Sequence, residues 1–210
     1  MIIVITTENR DQYTSLLDQM YRQRKQVFVD RLGWDLAVDT EGREIDRFDT
    51  DETTYLIASP DGTTVDGSMR LNPTTAPHLM SDIFDHMCVG GAPRGSDIWE
   101  SSRTCIALAR DRLNVMNETV SELYCGMIEY AILCGIRKIT FVASADLQKS
   151  VVAWGLNASL NINPLGLPEI DGQDINCAFA LQINAEGLWG LRQMRGLNRP
   201  ALQLSGGYAA

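Results

Sequence analysis

The chain reads as an α/β protein of the α+β type, a single domain in which a mixed β-sheet is flanked by helices. Three observations predict this. Short β-like runs occur at the start, in the middle and near the end, while segments between them repeat apolar residues at spacings of three and four. The resulting order is strand, helix, several adjacent strands, helix, strand, helix, strands, which is neither strict βα alternation nor an all-β sandwich. At 210 residues, without an internal repeat, low-complexity block or composition break, the sequence has length for one cored domain and marks no boundary for a second. The domain is expected over 1–195, with 196–210 a loose tail.

Met1 to Thr6 is too short and too poor in positive charge for a secretory signal, so Ile2 to Ile5 is expected as the first strand. The polar stretch Glu8 to Gln12 leads into a helix carrying Leu16, Leu17, Met20, Tyr21, Arg24 and Phe28 on one broad face, with Arg24 and Phe28 one turn apart. Gly33 ends it, and Trp34 opens a loop through Thr50. Thr53 to Ala58 and Thr64 to Leu71, joined by Ser59-Pro60-Asp61-Gly62-Thr63, suggest a hairpin closed off by Pro73 and Pro77. His78 to Met87 is expected as a short surface helix, Gly90 to Gly95 as a loop, and Ile98 to Ala107 as a strand.

Asn117 is placed as the N-cap of a helix bearing Val120, Leu123, Tyr124, Met127, Ile128, Ala131 and Ile132 on one side and closed by Gly135. A strand from Lys138 to Ala143 follows, then a helix from Ser144 or Asp146 through Trp154, closed by Gly155. Strands near Ser159 to Leu165 and Ile175 to Ile183 and a helix from Ala185 to Met194 complete the reading.

A hydrophobic content of 45%, a charged content of 21% and a mean hydropathy of -0.10 are those of an ordinary soluble protein. The net charge of -9 argues against non-specific nucleic-acid binding, which needs a basic surface. No apolar run approaches the length of a membrane span, about 20 residues. The five cysteines, Cys88, Cys105, Cys125, Cys134 and Cys177, lack metal-type spacing and read as reduced packing residues, which fits a cytoplasmic location. His78 and His86 form no compact ligand set, so no metal is expected. Nucleophile-elbow, Walker and dinucleotide patterns are absent.

What remains is a recurrence of arginines, carboxylates and aromatics. Arg24, Phe28 and Trp34 come first, then Asp46 and Asp49, then Arg70, and then Glu100 and Arg103 in Trp99-Glu100-Ser101-Ser102-Arg103. Each signal has a plain alternative: an arginine stem at a core edge, carboxylates that cap turns in an acidic loop, a strand that only packs. Together they suggest one polar pocket assembled from several elements. Glu100 and Arg103, three apart, face opposite sides of an ideal strand, so a local irregularity is expected between them.

The ordered set Arg24-Lys25-Gln26-Val27-Phe28, Arg31-Leu32-Gly33-Trp34, Asp46-Arg47-Phe48-Asp49, Ser68-Met69-Arg70-Leu71 and Glu100-Ser101-Ser102-Arg103 resembles the N-acyl-homoserine-lactone synthases, the autoinducer synthases of bacterial quorum sensing. The resemblance spans about half of the chain, with the remainder similar in layout. It implies a fold like that of the N-acetyltransferase superfamily. It also implies transfer of an acyl group from acyl-coenzyme A or acyl carrier protein to S-adenosylmethionine, giving an acyl-homoserine lactone and methylthioadenosine. No cofactor beyond these substrates is implied. Arg24, Asp46, Asp49, Arg70, Glu100 and Arg103 are the implied catalytic set, and Phe28, Trp34, Arg24, Arg103 and Ala143 the implied substrate contacts.

The chemistry suits those residue types. Carboxylates meet the ammonium and sulfonium of S-adenosylmethionine, an arginine meets its carboxylate, and an aromatic face serves the sulfonium or the base. Glu100 is the candidate base for the amine, directly or through water. Members that favour 3-oxo chains commonly carry threonine where this chain has Ala143, which leans away from a 3-oxo donor. Met80, Phe84, Cys105, Met127, Phe141 and Trp154 are expected around the acyl chain. Lys149 is the one clear cation of the helix after that strand, which leaves a coenzyme A donor open, while Arg22, Lys25 and Arg31 offer a site for an acidic carrier. The rival readings are a general coenzyme A acyltransferase, weakened because Ala107 to Asn117 holds no glycine for a pyrophosphate loop, and a non-enzymatic small-molecule sensor.

Overall fold

The computed structural model describes residues 1–107, 113–144, 158–171 and 174–203, the side chains of 113–117, 171 and 174 excepted. Its strands are β1 (Ile2–Ile5), β2 (Thr54–Ala58), β3 (Gly67–Pro73), β4 (Ile98–Ile106), β5 (Lys138–Ser144), β6 (Ile162–Pro164), β7 (Glu169–Asp171), β8 (Asp174–Gln182) and β9 (Leu202–Gln203). The α-helices among the described residues are α1 (Thr14–Arg24), α2 (Leu79–Asp82), α3 (Leu113–Leu133) and α4 (Ala185–Arg195). The chain forms two compact units: Met1–Arg70, Arg103–Met127 and the chain from Arg199 in one, Leu71–Ser102 and Ile128–Asn198 in the other.

In the first unit the strands run in the order β9-β1-β2-β3. β1 lies antiparallel to β2, with Ile5 opposite Tyr55, and parallel to β9, so this part of the sheet is mixed. Helix α1 buries Leu16, Leu17 and Met20 against Ile3, Ile5, Tyr55 and Ile57, the face expected from their spacing. Gly67 marks a close approach: a Cβ there would stand 2.7 Å from Ile106 Cδ1 and 3.0 Å from the Cys105 carbonyl.

In the second unit the order is β6-β8-β5-β4, with β7 beside β8. β5 runs parallel to β4, with Glu100 opposite Thr140, and antiparallel to β8, with Ala143 opposite Cys177. Helix α4 starts at Asn184, whose side chain accepts from the Gly187 amide at 2.7 Å, and ends at Gly196 with φ +68°. The mixed sheet flanked by helices read from the sequence is the architecture found.

Several elements differ from expectation. Helix α1 passes into a π-helical stretch, Lys25–Arg31, before Gly33 (φ +70°) ends it. His78 to Met87 is not one helix: Phe84 leaves helical backbone (φ -115°, ψ 17°), so α2 makes one turn and a 3-10 turn follows at Asp85–Met87. Helix α3 begins at Leu113, four residues before Asn117, because nothing from Leu113 to Met116 breaks a helix. In the segment read as a loose tail a strand forms instead, as buried Ala201 and Leu202 bring β9 alongside β1. The helix expected over 144–155, with Lys149 and Trp154, lies outside the described residues apart from Ser144, which ends β5.

Candidate active site

The first unit gathers five of the sequence-derived residues into one network. Arg24, at the end of α1, donates from Nε to Glu44 Oε2 at 2.6 Å and from both Nη atoms to the two oxygens of Asp49 at 2.8 and 2.9 Å. Arg70, on β3, reaches Asp46 Oδ1 at 2.5 Å and Asp49 Oδ1 at 3.2 Å. Arg103, on β4, binds Glu44 Oε1 at 3.2 Å and Asp46 Oδ2 at 2.8 Å through Nη2. Three guanidiniums thus meet three carboxylates, and the charges cancel.

The loop before β2 supplies the acids in a self-braced form. The Asp46 amide donates to Asp49 Oδ2 at 2.8 Å, and the Phe48 amide donates to Asp46 Oδ1 at 2.8 Å. Such local side-chain to backbone bonds are why Asp clusters in turns. Burial alone would raise the Asp49 carboxyl, but Arg24 and Arg70 outweigh it and hold the group well below the usual carboxylate range. Burial likewise opposes the Arg24 cation, which Asp49 and Glu44 more than restore. Exposure grades the network: the Arg24, Glu44, Asp49 and Arg70 side chains are at most 1% exposed, Arg103 is 7% and Asp46 17%. Arg103 and Asp46 are therefore its accessible members.

An aromatic face stands beside them. The widened π-helical turn lets the Trp34 amide donate to the Phe28 carbonyl at 2.9 Å, and the two rings stack with centroids 5.0 Å apart. Phe28 is buried, Trp34 is exposed, and the Arg103 guanidinium lies 5.6 Å over the Phe28 ring. The irregularity expected in β4 falls on Arg103 itself, which takes φ +51°. A strained backbone there aims a side chain that an ideal strand would send the other way.

Glu100 belongs to the second unit. Its Oε2 accepts from the Leu79 amide at 3.0 Å and its Oε1 from the Met80 amide at 2.5 Å, so the carboxylate holds the first turn of α2. Met80 packs with Met87, Cys88, Ala178, Phe84 and Val142, while Ala143 packs with Cys177, Phe179, Phe141 and Ile162. Of the residues expected around an acyl chain, Met80, Phe84 and Phe141 lie in this unit. Cys105 does not: it packs with Val27 and Phe28 in the first unit, where burial pushes its thiol up to about 11. Met127 is also assigned to the first unit.

Other residues sit differently from their sequence reading. His78 is buried rather than on a surface; its Nδ1 lies 2.9 Å from the Ala76 carbonyl, and burial depresses its basicity. His86 is exposed and reaches Glu169 at 2.7 Å. Glu44, Tyr55 and Tyr21 were missed as members of the polar network, although Glu44 stands two residues before Asp46 in the same acidic run. Two of the three cations offered for an acidic carrier pair with neighbouring acids, Arg22 with Asp18 at 2.8 Å and Lys25 with Asp30 at 2.8 Å; Arg31 ends the π-helical stretch. Among the described residues no cluster of His, Cys, Asp and Glu suits a metal, and no helix is long and apolar enough to cross a membrane.

The autoinducer synthase family pattern matches residues 8–186. This chain belongs to the autoinducer synthase family. Within it, the chain is 34% identical over 179 residues to the isovaleryl-homoserine lactone synthase of Bradyrhizobium diazoefficiens, covering 81% of this chain and 74% of that protein. It also superposes with TM-score 0.84 and 30% identity on BjaI, a CoA-dependent acyl-homoserine lactone synthase solved with SAM and isopentyl-CoA, over 95% of this chain and 91% of that one. An acyl-CoA N-acyltransferase from Pseudomonas aeruginosa shares the fold at TM-score 0.56 and 13% identity, over 86% of this chain and 97% of that one. The N-acetyltransferase-like fold expected of an autoinducer synthase is thus present.

Proposed function

We propose that this autoinducer synthase acylates S-adenosylmethionine from an acyl-coenzyme A and closes the product to an acyl-homoserine lactone. The observation that carries the reading is the charge-balanced network of Arg24, Arg70, Arg103, Glu44, Asp46 and Asp49 beside the stacked Phe28–Trp34 pair. Its accessible edge offers a carboxylate, a guanidinium and an aromatic face together. Asp46 takes the substrate ammonium, Arg103 its carboxylate, and Trp34 the sulfonium or the adenine. Arg24, Glu44, Asp49 and Arg70, buried and mutually bonded, hold those two in place.

The amine attacks the thioester carbonyl and the coenzyme A thiolate leaves, taking the proton the amine gives up. A free α-amine has a pKa of about 8, so part of it is already unprotonated at neutral pH. Glu100 then serves to fix α2, since a proton on it would weaken its oxygens as acceptors for the two amides it holds. The carboxylate of the acylated intermediate next attacks its own γ-carbon; the carbon–sulfonium bond breaks and methylthioadenosine departs. Holding the chain curled is the main help this second step needs. The reaction as proposed uses no further cofactor, and its two substrates support a cytoplasmic location.

A coenzyme A donor is supported by the likeness to BjaI and by the pairing of Arg22 and Lys25 with neighbouring acids. The likeness to an isovaleryl-homoserine lactone synthase supports a short branched acyl group. The test is incubation of purified protein with S-adenosylmethionine and paired isovaleryl thioesters of coenzyme A and carrier protein, with lactone and methylthioadenosine read by mass spectrometry. Lactone from the coenzyme A thioester is expected. Thiol release without lactone would return the protein to the general acyltransferases.

A further inference from the structure

We propose that Tyr21 and Tyr55 form a hydroxyl relay that positions Asp49, and through it Arg24 and Arg70, for S-adenosylmethionine. The inference rests on the reading of this network as the S-adenosylmethionine site, and it assigns two residues outside the set read from the sequence.

Asp49 receives donors from four elements. Arg24 Nη1, Arg70 Nη1 and the Tyr55 hydroxyl reach Oδ1 at 2.8, 3.2 and 2.9 Å, while Arg24 Nη2 and the Asp46 amide reach Oδ2 at 2.9 and 2.8 Å. Of the three side chains that bind it, two are cations and Tyr55 is the neutral one. Without the phenol, Oδ1 is shared by two guanidiniums alone, while Oδ2 has the Asp46 amide as well. The phenol adds a bond from β2, in the packed sheet, and fixes the orientation.

The direction of the relay follows from counting hydrogens. Tyr55 has one, which goes to Asp49, because a carboxylate has none to give. Its oxygen then accepts from Tyr21, whose hydroxyl lies 2.8 Å away. The rings meet edge to face, 5.9 Å apart at 84°. Tyr21 and Arg24 are three apart on α1 and so share a face, and the Arg24 guanidinium lies 5.3 Å over the Tyr21 ring. The circuit Arg24, Asp49, Tyr55, Tyr21 thus closes on itself. Arg10 braces its outer side, lying 5.8 Å over Tyr55 and donating to the Thr50 and Thr53 carbonyls at 3.1 Å. Burial raises both phenols, so they remain protonated donors at any working pH.

A buried tyrosine can also be only a core residue whose hydroxyl needs a partner. Phenylalanine separates the two roles, because it keeps the ring and removes the bond. The experiment compares wild type, Tyr55→Phe and Tyr21→Phe by steady-state kinetics with S-adenosylmethionine and isovaleryl-CoA, and by titration of S-adenosylmethionine binding. For Tyr55→Phe, KM and Kd for S-adenosylmethionine should rise about five- to tenfold, within the range for losing one ordinary hydrogen bond, with KM for the thioester within about twofold. Tyr21→Phe should move the same constants about two- to threefold. Unchanged constants overturn the proposal, and so does an equal rise for both substrates, which marks general loosening. If Tyr55→Phe does not fold, Tyr21→Phe decides by the same criteria. A wild type that binds S-adenosylmethionine yet makes no lactone from any thioester defeats the proposed reaction, while the Kd shifts still test the relay.

Discussion

Two regions of this chain hold carboxylates by opposite means. In the first unit Glu44, Asp46 and Asp49 are met by guanidiniums on side chains far apart in sequence. In the second, Glu100 is met by two successive main-chain amides at the start of α2. The difference lies in what each arrangement fixes. A guanidinium–carboxylate lattice fixes side chains against one another, and losing one member strands a buried charge. A carboxylate on a helix start fixes backbone, and losing it takes an acceptor from neutral amides without stranding a charge.

The largest effect should therefore come from Asp49→Asn, which leaves Arg24 buried beside a neutral amide. Breaking such a pair costs about 3–5 kcal/mol, and lactone formation should fall by at least about a hundredfold. Chemical denaturation and initial rates check both. The same carboxyl makes a pH prediction. Its folded pKa lies below the unfolded value, so its contribution is complete above about pH 4 and is lost as pH falls through the folded value. The stability gap between wild type and Asp49→Asn should be constant from about pH 5 to 7 and narrow below about pH 4. A gap independent of pH down to the acid transition would mean that the ion pair is not what Asp49 contributes.

Glu100→Gln should cost less. The amide keeps one acceptor for the Leu79 or Met80 N–H but turns its own NH2 toward the other, a loss of about 1–3 kcal/mol. If Glu100 is an anchor, kcat/KM falls because α2 and Met80 shift, and the pH profile keeps its shape. If it is the base, the acid limb of the profile flattens. A moved limb in Glu100→Gln would erase the contrast drawn between the two regions.

The contrast also explains what the sequence could disclose. The partners in the first unit are letters: Arg24, Arg70 and Arg103 complement Asp46 and Asp49 by charge alone, and the mixed sheet follows from apolar runs. Glu44 was missed because the acids around it looked like a solvated loop, and Tyr55 because an aromatic in a strand reads as core. The anchoring of Glu100 was illegible for a deeper reason. Its partners are main-chain N–H groups, which every residue but proline carries, so no residue type at 79 or 80 announces them. The π-helical turn that stacks Trp34 on Phe28 is hidden in the same way, since its sequence reads as a plain continuation of α1. The three-residue offset of Glu100 and Arg103, by contrast, did announce a backbone event, and Arg103 carries it.

The smallest effect is expected from Ala143→Thr, which touches neither carboxylate system. Ala143 is buried on β5 opposite Cys177 and packs with Phe141, Ile162 and Phe179, so an added methyl and hydroxyl overfill the site at a cost of about 1 kcal/mol. Buried there, the hydroxyl gains from a polar partner on the ligand, and the 3-keto oxygen of a 3-oxo thioester is an acceptor of that kind. The ratio of kcat/KM for a 3-oxoacyl-CoA over its unsubstituted counterpart should rise about two- to fivefold, the worth of a modest hydrogen bond. Competition between the two thioesters in one reaction reads that ratio directly. A variant destabilised by the expected amount but with an unchanged ratio would make Ala143 a packing residue of the β5–β8 face with no part in choosing the acyl group.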